Sequence, residues 1–333
     1  TVTGNAAFAA VTGTSIASAA AFTRIAWPEM KAAGYKHSFA LGSIAGSACL
    51  GMLIPPSVLL IVWGIITEDS IGKLFVAGVI PGVLLAGFFA AYNMFTAKMN
   101  PSIAPEPDAM GDVAPLTKSQ IYSGASIIGL IFLVLGGIWG GFFTATEAAG
   151  VGALAGMCIA IAKGLRFKEL VDCIIDAGKT SAPIMILLIT AGMYSRFLSL
   201  ADIDSLIIGA MTSAGLDGAM GLVVMVIIWL LLGMLLDSIS IILLTVPLFM
   251  TLSSGMDPYA FAIFGILAIE AGLLTPPFGL IVYTVKGVLS GTGHDVPLNQ
   301  IFSGSIPYWL MMLVVMILVV IFPGLASWLT TFV

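Results

Sequence analysis

The sequence predicts an all-α polytopic membrane protein made of two inverted-topology repeats, each with a re-entrant hairpin and a broken transmembrane helix. Three observations carry that prediction. Of 333 residues, 59% are hydrophobic and only 9% charged, against about 25% charged in soluble domains. Two stretches nearly repeat each other: GMLIPPSVLLI at Gly51 to Ile61 and GLLTPPFGLIV at Gly272 to Val282. Aligned without a gap they share the glycine, two leucines and both prolines. Finally, basic residues cluster on opposite sides of the two copies.

Each diproline lies inside a long apolar run. Two consecutive prolines remove two backbone donors and disfavour the helical turn before them, so neither run can be one continuous helix. Carbonyls freed at membrane depth cost several kcal/mol unless protein, water or an ion satisfies them. Broken helices at matching places in two halves of a membrane chain point to a secondary transporter's binding site.

Taken in order, the apolar segments run roughly over 1–22, 38–66, 74–97, 120–140, 141–162, 181–200, 218–252, 258–285 and 300–323. Several reach the ~20 residues needed to span a bilayer. The first and seventh are interrupted by short polar centres, TGTSIAS at Thr12 to Ser18 and LDSIS at Leu236 to Ser240. A polar kink between two apolar arms suits a re-entrant hairpin with its tip buried in protein; the plainer reading is a helix with a few serines bonded to its own backbone. After each diproline helix comes a short polar loop, then a helix announced by FVAGVIP at Phe75 to Pro81 or FSGSIP at Phe302 to Pro307. The stretch 165–178 alternates charged and apolar residues and reads as an amphipathic interfacial helix. Lys98 to Lys118 reads as a linker from its prolines and aspartates. These features divide the chain into a first repeat at 1–97, a loop at 98–119, connecting scaffold helices at 120–217 and a second repeat at 218–333. The chain opens on an apolar, small-residue run that reads as the inside of a membrane segment, so upstream sequence is expected to be missing.

Charge orients the segments. Arg24, Lys31 and Lys36, and Lys163, Arg166, Lys168 and Lys179, are placed in the cytoplasm; Glu68, Asp69 and Asp257 are placed outside. Trp27, Tyr308, Trp309 and Trp328 suit the interfacial aromatic belts. Cys49, Cys158 and Cys173 read as packing residues. His37 and His294 are too isolated for a zinc site. No GxxxxGK[ST] pattern or dinucleotide fingerprint occurs, which argues against ATP drive by this chain.

The tips and breaks hold the oxygens an alkali cation needs, because unwound backbone beside a helix C-terminus presents carbonyls of the right polarity. Tip one offers Gly13, Thr14, Ser15 and Ser18, and break one offers carbonyls around Gly51, Ile54 and Pro56 with Ser57. Tip two offers Asp237, Ser238 and Ser240, and break two offers Gly272, Thr275 and Pro277. Helix N-termini at the same breaks present N–H groups to an anion. Asp237, an acid in an apolar run, is a functional candidate and equally a helix cap. Glu270 either helps neutralise a cation or faces a watery crevice. Glu147, after Thr144, reads as a first-turn acid against its helix dipole.

The runs SACLGMLIPPSVLLIVWGIITEDSIGKLFVAGVIPG, GIWGGFFTATEAAGVGA, LLGMLLDSISIILLTVP and EAGLLTPPFGLIVYTVKG, in this order and spanning nearly the whole chain, resemble the large membrane subunit of tripartite ATP-independent periplasmic (TRAP) transporters. That resemblance implies an elevator-type ion transporter fold in the bacterial inner membrane. It implies Na⁺ as coupling ion with no organic cofactor, and a carboxylate substrate such as a dicarboxylate or sialic acid. It further implies a soluble periplasmic substrate-binding protein and a small four-helix membrane subunit, separate or fused, as partners alongside membrane lipid; nucleic acid and enzymatic activity are not expected. Position by position, sodium falls at Ser15 with Gly51, Ile54 and Pro56, and at Asp237 with Gly272 and Thr275. Thr14, Ser18, Ser57, Ser238, Ser240 and Pro277 are left to the substrate. The second tip departs from the family pattern in lacking a proline shortly after its aspartate. The alternative is a binding-protein-independent Na⁺/dicarboxylate symporter, which should show a Ser-Asn-Thr tip that neither hairpin has.

Overall fold

The computed structural model describes residues 1–100, 102–104, 117–216, 218–253, 255–292 and 296–333, and these form helices joined by short turns. Among the described residues, six helical stretches are long and apolar enough to cross a membrane. Most of the expected loop 98–119, and His294, lie outside the described residues.

The first hairpin is α1 (Val2–Thr12) and α2 (Ser15–Ala32), turning at Gly13 and Thr14. Gly13 takes φ +62 there, a left-handed conformation that only glycine adopts freely. The first diproline helix is split into α3 (His37–Ala48), α4 (Leu50–Leu53) and α5 (Val58–Thr67), and α6 (Ile71–Met99) follows. The connecting region is α7 (Lys118–Trp139), α8 (Ala145–Ala162), α9 (Phe167–Leu200) and α10 (Ile203–Ser213). The second hairpin is α11 (Gly218–Gly233) and α12 (Ser238–Leu252); the second diproline helix splits into α13 (Pro258–Gly272) and α14 (Leu280–Gly291). The chain closes on α15 (Leu298–Ile321), the single turn α16 (Gly324–Ser327) and a 3₁₀ turn at Leu329–Phe332.

Packing is reciprocal between the halves. The second arm of the first hairpin, α2, lies on α14, and the second arm of the second hairpin, α12, lies on α5. Likewise α3 packs on α15, while α13 packs on α6. Gly42 and Gly304 let α3 and α15 touch backbone to backbone, since a Cβ on either would run into the other's chain; small residues permit such close approach in lipid. Every residue of α13 from Ala260 to Gly272 is buried, whereas α7, α8 and α9 present long exposed apolar faces, including Phe132, Leu154 and Ile189.

Three expectations need correction. The stretch 165–178 is not a separate helix: it is the beginning of α9, a 34-residue helix that runs through Pro183. At 1.5 Å per residue such a helix is about 50 Å long, well beyond a ~30 Å hydrocarbon core. Trp27 and Tyr308 are not belt residues but core, 1% and 0% exposed. Tyr308 packs edge-on against Phe89 and Tyr92 and donates its hydroxyl to Asn93 Oδ1, and Gly46 leaves room for its ring. Of the cysteines only Cys49 is packed away; Cys158 and Cys173 are exposed on the outward faces of α8 and α9. Glu147 is the expected first-turn acid, and it does more than face the dipole: Thr144 and Glu147 exchange bonds in a capping box at the start of α8.

Candidate functional site

Each hairpin tip sits against the break of its own repeat. At tip one, Val58 N donates to the Gly13 carbonyl at 3.2 Å, so the tip satisfies the first free amide beyond the break. A Cβ on Gly51 would lie 3.1 Å from the Thr14 carbonyl oxygen, so glycine there lets tip and helix meet. Ser57 caps α5, its hydroxyl accepting from Leu60 N at 3.4 Å and donating to the Met52 carbonyl at 2.5 Å. The helix therefore stops at Leu53, and the chain resumes at Val58 with its orphan groups largely met locally. Both diproline bonds are cis.

Tip two follows the same plan with different chemistry. A Cβ on Gly272 would lie 2.8 Å from Gly233 Cα, so α11 ends in backbone contact with the last turn of α13. Asp237 caps α12, accepting from Ile239 N and Ser240 N at 3.1 Å each and from the Ser240 hydroxyl at 2.5 Å. Thr275 Oγ1 donates to the Ala271 carbonyl at 2.8 Å and accepts from Trp309 Nε1 at 3.0 Å.

Between the tips lies Glu270, 1% exposed, one turn before the second break. Its Oε1 accepts from Ser238 Oγ at 2.8 Å. Ser15 Oγ lies beside the same carboxyl, yet both Ser15 Oγ and Glu270 Oε2 are buried without a directed hydrogen bond. Cys49 Sγ is 4.0 Å from the Glu270 carbonyl oxygen. Ser15 and Ser238 are the first residues of α2 and α12, so one carboxyl meets the entry points of both hairpin return arms.

The expected site residues thus fall into two neighbourhoods that share Glu270. At the first, Gly51 meets Thr14 and the Pro56 carbonyl meets Gly13, while Ile54 packs on Gly82 of α6. At the second, Gly272 meets Gly233 and Asp237 holds Ser240, while Thr275 is bonded to Ala271 and Trp309. Ser18 and Ser57 are fully buried and engaged with protein groups; Ser18 Oγ donates to Asn5 Oδ1 at 2.6 Å. Pro277 lies exposed at the outer rim of its break. A shallow cleft of about 330 Å³ between α9 and α12 reaches tip two, lined by Thr190, Tyr194, Leu236 and Ser240 among others.

Asn5 was missed from sequence. Completely buried in α1, it donates to Ser47 Oγ at 2.8 Å and to the Ile44 carbonyl at 3.2 Å while accepting from Ser18. It ties both hairpin arms to α3. Its signal was a lone amide in the apolar run VTGNAAFAA, where a polar side chain in the membrane is costly unless partnered.

Residues 1–325 match the family model of the DctM component of the tripartite ATP-independent periplasmic transporters. The chain belongs to this family. It is 31% identical over 323 residues to a C4-dicarboxylate TRAP transporter large permease protein of Pseudomonas aeruginosa, covering 96% of this chain and 74% of that protein. An ectoine/5-hydroxyectoine large permease of Ruegeria pomeroyi is also 31% identical, over 97% of this chain and 74% of its own length. An isethionate permease of Oleidesulfovibrio alaskensis named DctMQ is 27% identical over 96% of this chain, which spans 49% of that relative. Membership in the DctM family makes the chain a multi-pass membrane component of a transporter rather than an enzyme.

Proposed function

We propose that the chain is the permease of a Na⁺-coupled uptake system for an organic acid, a dicarboxylate, sialic acid or related carboxylate, in a bacterial inner membrane. A periplasmic binding protein delivers the substrate, and a small membrane subunit, separate or fused, braces the exposed faces of α7 to α9. The family's description and the names of relatives that carry C4-dicarboxylates and ectoine support the transport class. The observation that carries the coupling is the contact of each polar tip with its own helix break, made twice in one chain. Carbonyl-bearing C-termini of α1, α4, α11 and α13 meet there, and such ends favour cations.

Sodium is assigned to Ser15 with the carbonyls of Gly51, Ile54 and Pro56, and to Asp237 with Gly272 and Thr275. No Lys or Arg lies at 12–18, 51–58, 234–240 or 272–279. A carboxylate would therefore be held by helix N-termini and hydroxyls, with Thr14 and Ser240 the half-buried candidates and Ser238 enclosed beside Glu270. The reciprocal packing of α2 on α14 and α12 on α5 fits two repeats moving as one body against α7 to α9, in the manner of an elevator.

Uptake into proteoliposomes, with the matching binding protein outside, tests the coupling. It should require an inward Na⁺ gradient and ignore ATP. Uptake that continues unchanged when choline replaces Na⁺ rules the proposal out.

A further inference from the structure

The two repeats brace their breaks by different means. In the first, α6 approaches on glycines: a Cβ on Gly78 would lie 2.5 Å from the Leu53 carbonyl oxygen, and one on Gly82 would lie 2.9 Å from the Ile54 side chain. The second break is met by aromatic rings of α15. A Cβ on Gly279, the residue that opens α14, would lie 2.9 Å from the Phe302 ring, and Trp309 Nε1 donates to Thr275 Oγ1 at 3.0 Å. Phe302 and Trp309 are seven residues apart, two turns and about 10.5 Å along one face of α15, so they bracket the break. When Pro81 and Pro307 are aligned, Trp309 falls opposite Val83, an exposed apolar residue. The first repeat has no indole donor at that place.

What the indole does follows from the valences of the hydroxyl it meets. A threonine hydroxyl carries one hydrogen and two acceptor lone pairs. Thr275 directs the hydrogen to the Ala271 carbonyl at 2.8 Å and one lone pair to Trp309. One lone pair is left, and the other two bonds fix its direction. The surroundings suit an alkali cation, which takes oxygen donors: hydroxyl and carbonyl oxygens, a close approach at Gly272 that a Cβ would fill, and no basic side chain at 272–279. The indole is itself held firmly. Gly304 touches Gly42 of α3 through backbone, Tyr308 fills the space over Gly46, and Trp309 is the next residue along, half-buried.

We propose that Trp309 is a positioning residue for cation binding at the second break. Its N–H orients the Thr275 hydroxyl, and because α15 is seated on α3, the first repeat sets where that N–H stands. The two cation sites are therefore unequal: the second is preorganised by a side chain that belongs neither to its tip nor to its break. This role rests on the assignment of sodium to Thr275 and adds the residue that aims it.

Trp309→Phe keeps an aromatic ring and removes the N–H. The rise in melting temperature of the purified permease complex over a NaCl series, against choline chloride, reads cation binding. Half-saturation in Trp309→Phe should move to about two- to tenfold higher Na⁺, as for one lost neutral hydrogen bond. A merely structural role would lower the melting temperature in choline and leave half-saturation where it was. A second measurement needs no change at Trp309. With 5-fluorotryptophan at the six tryptophans, the ¹⁹F resonance that Thr275→Val displaces most is that of Trp309. In the wild type, NaCl should shift the same resonance and choline chloride should not. Unchanged half-saturation in Trp309→Phe, or a resonance that stays put while Na⁺ stabilises the wild type, overturns the inference and leaves the sodium reading standing. Should Trp309→Phe not fold, the resonance decides alone. If Na⁺ neither stabilises the wild type nor shifts any resonance, the sodium reading falls and this one falls with it.

Discussion

Replacing Gly272 with alanine tests whether contact between tip two and break two matters for cation binding. The added methyl would sit 2.8 Å from Gly233 Cα, 2.9 Å from the Trp229 carbonyl oxygen and 3.3 Å from the Leu230 carbonyl oxygen. All three are backbone atoms, so no side-chain rotation relieves the clash. The tip must withdraw by roughly 0.6 Å to restore ordinary contact, and overpacking of this kind costs about 1–3 kcal/mol. Binding constellations need to be held within about 0.5 Å, so the ligand set at Thr275 and Asp237 should open by enough to matter. Loss of about 1.4 kcal/mol would raise the Na⁺ concentration for half-saturation tenfold. Thermal unfolding in detergent over a Na⁺ series reads both effects, because a ligand stabilises the state that binds it. Gly287→Ala is the control: nothing lies within 4 Å of its would-be Cβ, and alanine in a helix interior is favoured by about 0.5–1 kcal/mol. Should Gly272→Ala melt with the wild type and keep its Na⁺ dependence, the contact is not part of a cation site.

Pro55→Ala with Pro56→Ala should let α4 and α5 recover helical bonds and consume carbonyls assigned to sodium; the protein should still insert, while Na⁺-dependent uptake falls at least about tenfold, or ~1.4 kcal/mol of coupling. The same pair of changes leaving uptake intact would reduce the break to a packing feature. Asn5→Ala should lower stability by about 1–3 kcal/mol by stranding buried hydroxyl and carbonyl groups, read as a fall in melting temperature without a matching change in Na⁺ half-saturation. In a background freed of Cys49, Cys158 and Cys173, a cysteine near Lys31 should label only from the cytoplasm and one near Asp257 only from outside; labelling of both from one side refutes the inverted repeat.

Local features were legible where a residue type dictates its own backbone. The diprolines marked both breaks, the polar centres marked both turns, Asp237 was readable as a cap and Glu147 as a first-turn acid. The position of Glu270 between two tips was not legible. It depends on Ser15 and Ser238, which are distant in sequence and brought together by packing that no local pattern encodes. Tyr308 and Trp27 carry polar atoms and large rings, the pattern of an interfacial belt, and only the space left by Gly46 and the neighbouring aromatics turns Tyr308 inward. Continuity of α9 through Pro183 likewise escaped, because the charged stretch before it has the composition of a surface helix. Asn5 shows the same limit: its partners Ser18 and Ser47 lie on other helices.

The exchange of partners between halves bears on how this protein is made. The α2 arm emerges early and finds its seat on α14 only when the far end of the chain has been synthesised. At about 5–20 residues per second that interval is on the order of tens of seconds. Throughout it the first hairpin can rest on α3, which follows it directly, but the face of α2 that meets α14 stays uncovered. The first half of this permease therefore waits on the second for part of its packing. The seat of α2 on α14 and that of α12 on α5 are completed only when the second half is in place.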